Sequence, residues 1–507
     1  MKRLLNLLVS RTFALVVVFL LQISFLIAMI YFFSSQMALV DFLLKAFSFI
    51  MVVFVINNFT VNPSFKIAWI IVILAIPLVG GILYALYGNK RVPKQLVQQY
   101  LSNYQEATKM FVQDEVAMKE MAKKDLHIHN QFDYLWHNAS FPTYNNTRVD
   151  YYNDGEEMHE AMLEELRKAK KFIFMEYFII EPGVMWNSIL YILKQKASEG
   201  VEVRFMYDDG GTLATLPADY DKTLQGYGIN TKIFNPIRPI LAIQMNNRNH
   251  RKITVIDGKV AFTGGINIAD EYINKIHYFG HWKDGGVKIT GDSVFSFSVM
   301  FLQLFENGLN SSVFKYRHNT TAKYDDAIIC PFSDSPTDDE VIGESVHLNI
   351  INNALNYVYI TTPYLILDQE MTVALTLAAK RGVDVRIVVP HIPDKWYAQK
   401  ISQANYYRLV KDGVKIYEYL PGFIHSKNMV ADDNIVCVGT INLDYRSYYL
   451  HYECGALIYK SKCIMEIRKD IEEVIESSKL VTQEDLENEG LISRVFKALL
   501  NILAPMM

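Results

Sequence analysis

Cysteine is scarce in this chain. Its 507 residues contain four, Cys330, Cys437, Cys454 and Cys463, with no short Cys-x-x-Cys and no paired ligand spacing. That pattern supports neither a disulfide framework nor a structural zinc site. Cys437, in an apolar strand-like run, suits a small buried hydrophobe. An excess of basic charge is also missing. The formal net charge is −4, which argues against a strongly basic nucleic-acid binder. No basic segment interleaved with aromatics, of the kind that tracks single strands, is present. The 31 tyrosines are scattered along the chain and suit cores and interfaces.

What the chain does have is apolar length. Its hydrophobic fraction is 51% with a positive mean hydropathy, and Thr12 to Phe33 and Ile67 to Tyr87 each run without a charge. A helix rises about 1.5 Å per residue, so each run can cross a hydrocarbon core of about 30 Å and is expected to be a transmembrane helix. Between them, Met37 to Ile56 is apolar but carries Asp41 and Lys45, spaced to pair on one helical face, and is a third candidate. The first run lacks a small-residue cleavage site and is followed by more apolar sequence, which marks a retained anchor. Lys2, Arg3 and Arg11 precede the first run, and Lys90, Arg91 and Lys94 follow the last. The positive-inside tendency puts both flanks in the cytoplasm and wants an even number of crossings. Two spans satisfy it; with three, either the middle segment is re-entrant or interfacial, or one of the basic flanks is misleading.

Residues 1–88 are therefore expected to form a membrane region, and 89–125, rich in Gln, Glu and Lys, a polar and mainly solvated helical connector. Two halves follow, 126–325 and 326–507, with one grammar. Met158 to Lys170 reads as a helix, Phe172 to Ile180 as a strand and Trp186 to Ser198 as a helix, before Gly200-Val-Glu-Val-Arg204. The order returns as Leu348 to Asn356, Val358 to Leu365, Met371 to Ala379 and Gly382-Val-Asp-Val-Arg386. The first half holds a longer loop before its next motif, placed at Ile237 to Asn249. The expected fold class is α/β: a duplicated domain forming a pseudo-dimer, with mixed, mostly parallel sheets covered by helices.

One pattern occurs twice, 175 residues apart at every matched position: His250-x-Lys252-x4-Asp257-x6-Gly264-Gly265-x-Asn267 and His425-x-Lys427-x4-Asp432-x6-Gly439-Thr440-x-Asn442. Isolated histidines and lysines are mostly ordinary surface or core residues; the repeated spacing selects these. On an extended segment His and Lys leave the same face and can meet one phosphate. Ile253 to Ile256 and Val260 to Phe262 suit a hairpin turned by Asp257-Gly258, so Asp257 and Asp432, although part of the catalytic signature, are expected mainly to fix local backbone. The glycines allow close approach of backbone. One half could bind a phosphate, whereas two halves face to face supply both a neutral histidine to attack phosphorus and a protonated one to give the leaving alcohol its proton. Lys252 and Lys427, with amide donors from Asn267 and Asn442, would hold the nonbridging oxygens. Asp284 and Glu453 each precede an apolar stretch in equivalent surroundings. They are candidates to orient the histidines, or plain structural carboxylates.

The paired motifs resemble the signature of the phospholipase D superfamily and, within it, of the bacterial cardiolipin synthases. Further family-like features are Ile76-Pro-Leu-Val-Gly-Gly-Ile-Leu-Tyr84, Met175-Glu-Tyr177, Thr362-Pro-Tyr364 and Asn442-Leu-Asp-Tyr-Arg-Ser447. The resemblance implies a phosphohistidine route without metal or other cofactor. One phosphatidylglycerol would lose glycerol, and a second would take the phosphatidyl group to give cardiolipin. It also implies a multi-pass protein of the bacterial plasma membrane, acting on membrane phospholipids and not on nucleic acid, with no particular oligomeric state. By analogy His250 is the nucleophile and His425 the acid and base, although symmetry permits the reverse. Asp284 is followed by Gly285-Gly286, where relatives commonly carry larger, more polar residues.

The same residues would serve a phospholipase D-type hydrolase or a transphosphatidylase using another alcohol. A non-catalytic scaffold would tolerate broken motifs, and both are intact here. At the C-terminal end, Leu491 to Leu503 has apolar residues at helical spacing with Arg494 and Lys497. Packing on the globular body is its expected fate, and resting on anionic lipid the alternative.

Overall fold

The structure, a computed structural model, describes residues 37–58, 62–88, 94–237, 247–324, 326–337 and 340–506, together with Ser24. The anchor expected at Thr12 to Phe33 and most of the loop at Ile237 to Asn249 lie outside the described residues. In the N-terminal unit, α1 (Met37–Ile56) is the one described helix long and apolar enough to cross a membrane. Asp41 and Lys45 pair on it at 2.7 Å. The single span expected at Ile67 to Tyr87 is corrected: α2 (Pro63–Ala75) and α3 (Pro77–Tyr87) divide it. Pro77 offers no N–H and disfavours helical backbone at the residue before it, and Ile76 sits at φ −138°. A Cβ on Gly80 would lie 2.5 Å from the Val72 carbonyl oxygen, so α3 folds back on α2. At 13 and 11 residues, neither piece reaches the roughly 20 needed to cross alone.

The second unit holds both halves and the connector. The connector forms helices Lys94–Thr108 and Glu115–Lys124, and the first of them is anchored rather than merely solvated. Asn103 is buried; its Nδ2 donates to the carbonyls of Gln303 and Glu306 at 2.8 and 2.9 Å, and its Oδ1 accepts from the Leu309 amide at 2.9 Å.

The first half contributes β1 (Tyr144–Tyr152), β2 (Phe172–Tyr177), β3 (Glu202–Asp208), β4 (Asn230–Phe234), β5 (Ile253–Ile256), β6 (Val260–Gly264), β7 (His281–Lys283) and β8 (Gly286–Gly291). The second contributes β9 (Ala327–Asp334), β10 (Tyr357–Thr361), β11 (Leu365–Ile366), β12 (Asp384–Pro390), β13 (Lys415–Tyr419), β14 (Gly422–Ile424), β15 (Asn428–Ala431), β16 (Ile435–Gly439), β17 (Leu443–Asp444), β18 (Glu453–Tyr459) and β19 (Ser478–Leu480). One sheet of 15 strands runs through both halves. Outward from the central β1–β9 pair, the order β1-β8-β6-β5-β2-β3-β4 on one side is matched by β9-β18-β16-β15-β10-β12-β13 on the other, with β19 at the edge. The duplication is thus visible as a pseudo-twofold.

The expectation of a mostly parallel sheet is corrected. Only the outer pairs β2–β3, β3–β4, β10–β12 and β12–β13 are parallel; the other neighbours in this sheet are antiparallel. Parallel neighbours need a long crossover, and helices such as Val184–Ser198 and Gln369–Lys380 supply it only on those flanks. The centre is built from hairpins and from the meeting of the halves. Helix Val294–Phe305 is buried along its whole length and packs on strands of both halves, among them β5 and β9.

The C-terminal helix Leu491–Leu503 also departs from expectation. Leu491, Ile492, Val495, Phe496 and Leu499 are exposed, and Lys497 is its one buried residue, paired with Glu489 at 2.6 Å. The face that turns inward is the one carrying the lysine, so the apolar stripe is left outside.

Candidate active site

Each motif histidine is delivered by a short strand pairing with the opposite half. Asn249 bridges Tyr452 in parallel register, and the His250 amide donates to the Tyr452 carbonyl at 2.9 Å. In the same way β14 pairs in parallel with β7, and the His425 amide donates to the Lys283 carbonyl at 2.7 Å. The residue after each bridge is a carboxylate: Glu453 follows Tyr452, and Asp284 follows Lys283. His250 Nδ1 therefore lies 2.9 and 3.0 Å from the two Glu453 oxygens, and His425 Nδ1 lies 2.6 Å from Asp284 Oδ2. The exchange is reciprocal: the acid of each half holds the histidine of the other. With Nδ1 engaged, Nε2 is the nitrogen left for chemistry. Arg251 adds another tie between the halves, its Nε donating to the Glu453 carbonyl at 3.2 Å.

The lysines are buried beside their histidines. Lys252 Nζ donates to the His250 carbonyl at 2.7 Å, and Lys427 Nζ donates to the His425 carbonyl. The asparagines are partly committed to neighbours. Asn267 accepts from the Ile179 amide at 3.1 Å and donates to Tyr272 Oη at 2.8 Å. Asn442 Nδ2 donates to Asp444 Oδ2 at 3.1 Å, while its Oδ1 is buried without a partner. Each amide nitrogen carries a second proton for a ligand.

Asp257 and Asp432 are not brought to this centre. Seven residues of extended chain, spanning roughly 20 Å, separate each from its histidine. They sit in turns whose two central residues have positive φ, Asp257-Gly258 at 53° and 65° and Asp432-Asp433 at 51° and 58°. The Asp257 carboxylate accepts from the amides of Lys170, Lys171 and Phe172. That of Asp432 accepts from those of Leu355, Asn356 and Tyr357. Each clamps the start of the neighbouring strand, β2 or β10.

The glycines also meet protein rather than open space. Gly264 pairs with Gly286, and Gly439 with Gly455. A Cβ on Gly264 or Gly439 would come within 2.7 Å of its partner's Cα, and one on Gly286 would lie 2.4 Å from the Thr263 carbonyl oxygen. A Cβ on Gly265 would lie 2.1 Å from Asp284 Oδ1. At the matching position Thr440 Oγ1 donates to Glu453 Oε2 at 2.5 Å.

Burial and like charge set the protonation of the centre. Burial, followed by the charges of Lys252, His451 and Lys427, holds His250 well below the usual histidine range, and His425 adds to the effect. Both halves are thus within electrostatic reach of one nitrogen. Burial, with Lys427, pushes His425 down to about 4 against the pull of Asp284. Although burial acts to raise Asp284, the charge and hydrogen bond of His425 keep it below the usual carboxylate range. Glu453 goes the other way, pushed up by burial against Lys252 and Thr440. Burial pushes Lys252 down to about 7 and Lys427 to about 8.

Two families match the chain: the cardiolipin synthase, PLD-like domain over residues 162–277 and 348–475, and the phospholipase D-nuclease N-terminal segment over 46–89. A Streptococcus mutans protein described only as uncharacterized is 43% identical over 87% of this chain and 96% of its own length. A cardiolipin synthase of Halalkalibacterium halodurans is 32% identical over 88% of this chain and 90% of its own. The chain belongs to the cardiolipin synthase family. One of Clostridium perfringens is 33% identical over 88% and 95%. Among solved structures, the phosphatidylserine synthase of Haemophilus influenzae Rd KW20 shares the fold, with a TM-score of 0.55 and 17% identity over 71% of this chain and 93% of that one.

Within this member of the cardiolipin synthase family, two residues beside the histidines carry no repeated motif and were not singled out by sequence. Trp282, two positions before Asp284, packs on His425 with ring centroids 5.2 Å apart. His451, two positions before Glu453, lies 5.6 Å from the His250 ring. The signal was their equal offset from the two acids. His250, His451 and Glu453 bring three ligand atoms within 4.8 Å of one another. A cation placed there would face the ammonium groups of Lys252 and Lys427, which oppose it.

Proposed function

We propose that this chain transfers the phosphatidyl group of one phosphatidylglycerol to the terminal hydroxyl of a second, giving cardiolipin and glycerol. The observation that carries this reading is the reciprocal pairing, which engages Nδ1 of one imidazole from each half and leaves its Nε2 for chemistry, with two buried lysines and His425 within electrostatic reach of His250. Neutral His250 attacks phosphorus through Nε2 while His425 protonates the departing glycerol oxygen. Phosphatidyl-His250 results. The second lipid's hydroxyl then loses its proton to His425, its oxygen bonds to phosphorus, and the phosphorus–nitrogen bond breaks. Lys252, Lys427, Asn267 and Asn442 hold the nonbridging oxygens as charge builds there.

The two histidines take these roles because their acids differ. Asp284, held ionised, favours an imidazolium on His425, and a phosphate anion between the halves favours it further. Nothing comparable draws a proton to His250. We further infer a multi-pass protein of the bacterial plasma membrane, with functional regions at 1–88, 89–125, 126–325 and 326–507. The exposed apolar stripe of Leu491–Leu503 is suited to lie along the lipid surface. The test is to incubate purified protein with labelled phosphatidylglycerol in mixed micelles and measure glycerol and cardiolipin. Equimolar release and formation is expected; phosphatidic acid as the main product would make the chain a hydrolase instead.

A further inference from the structure

His451 takes no part in the transfer chemistry, yet it borders the same centre. It is buried, and neither ring nitrogen has a hydrogen-bond partner. The nearby Glu453 Oε1 is 3.9 Å from Nδ1, beyond hydrogen-bond reach. Burying a polar group unpaired costs stability that a ligand's hydrogen bond would recover. The fold does not require a histidine here, because the equivalent position of the first half is filled by Trp282. Burial, with the charges of Arg446, Lys252, Arg248 and Lys395, keeps the His451 ring neutral. Arg446 stands on the short helix Tyr445–Tyr449, half-buried, and its carbonyl accepts from the His451 amide at 2.9 Å. Arg248 is committed through Nη1 to Asp208 Oδ1 at 3.4 Å and to the Asn235 carbonyl at 2.9 Å; an imidazole N–H close to the Arg446 segment, in the field of these cations, is a donor set for an anion.

We propose that His451, with Arg446 beside it, forms a second phosphate subsite that holds the phosphodiester of the acceptor lipid while its hydroxyl meets the phosphorus on His250. This rests on the transfer reading above and names the acceptor class: a glycerophospholipid whose anionic phosphate and free hydroxyl are separated by a glycerol bridge. By ordinary bond lengths that bridge keeps the two phosphorus atoms of the product roughly 6–7 Å apart, and the His250 and His451 rings lie 5.6 Å apart. Water needs no such subsite. His451 forms no bond to phosphorus and takes no proton; it decides which acceptor is present when the phosphohistidine opens.

The experiment uses the full chain in mixed micelles of phosphatidylglycerol labelled in the headgroup and one acyl chain. Glycerol, cardiolipin and phosphatidic acid are measured together. His451→Phe keeps a ring without a donor, and His451→Gln keeps an N–H. Cardiolipin formed per glycerol released should fall about tenfold in His451→Phe, with phosphatidic acid rising in its place, and should stay within about twofold of the parent in His451→Gln. An unchanged ratio in His451→Phe, or an equal fall in both variants, overturns the subsite. Should His451→Phe fail to fold, Arg446→Gln is read by the same ratio, and an unchanged value overturns the subsite equally. A parent protein that releases glycerol without making cardiolipin would contradict the transfer reading instead, which keeps the two failures apart.

Discussion

The His425–Asp284 and His250–Glu453 pairs occupy equivalent places in a duplicated fold, yet their surroundings have diverged. His425 is enclosed by aromatic rings, Trp282, Tyr272 and Phe423. Its acid is the shorter one, backed by Gly265, where no side chain fits. His250 has Phe178 on one side and His451 on another, and its longer acid is tied to Thr440. The cationic neighbours Lys252 and Lys427 and the raised Glu453 leave His250 without a strong claim on a proton. Duplication supplied two imidazoles, and the divergence around them is what the proposed division into nucleophile and acid rests on.

The largest effect expected from perturbing this difference is at the acids. Asp284→Asn removes the charge that supports imidazolium on His425 and should lower kcat about 100-fold, against about 10-fold for Glu453→Gln. Equal losses, measured at saturating lipid, would erase the distinction between the halves. Next comes pH. A lysine serves the phosphate only while protonated, so charge is lost as pH rises through its folded value. With Lys252 at about 7 and Lys427 at about 8, kcat/KM should fall on the alkaline side from that range. Lys252→Arg should retain charge there and move the alkaline limb up toward about 8, where Lys427 next loses its proton; an unmoved alkaline limb would remove the lysines from phosphate binding.

The smallest difference is expected where the halves agree. Asp257 and Asp432 each accept three backbone amides far from the histidines, so Asp257→Ala and Asp432→Ala should lose similar stability, about 2–4 kcal/mol. Turnover per folded molecule should be retained. Denaturant melts beside active-site titration check this, and a large fall in turnover at unchanged stability would return these aspartates to the chemistry.

Much of the site was legible because duplication made spacing informative. The His, Lys and Asn positions, the Asp257-Gly258 hairpin and the equivalence of Asp284 with Glu453 all follow from two copies of one pattern. That each acid serves the opposite histidine was not legible, since local sequence does not encode which half a strand end will meet. The strand sense was misjudged for a related reason. Helix-strand alternation advertises the crossover units β2–β3 and β10–β12, whereas the short buried strands of the central hairpins look the same whichever way they run. Pro77 was in view, but its effect on an apolar run depends on Gly80 allowing α3 to turn back onto Val72 and Ile73. His451 has no histidine counterpart in the first half, so the repeat that exposed the other residues concealed it.

The central claim is that a single imidazole, His250, carries the phosphatidyl group while the other half supplies the proton. The most direct measurement is to quench the enzyme during turnover of phosphatidylglycerol labelled in its phosphate, digest it under alkaline conditions that spare phosphohistidine, and map the label by mass spectrometry. Label on His250, enriched in His425→Ala when the donor carries a good leaving group and absent from His250→Ala, is the predicted result. Label on His425, or turnover that survives in His250→Ala, would contradict the account.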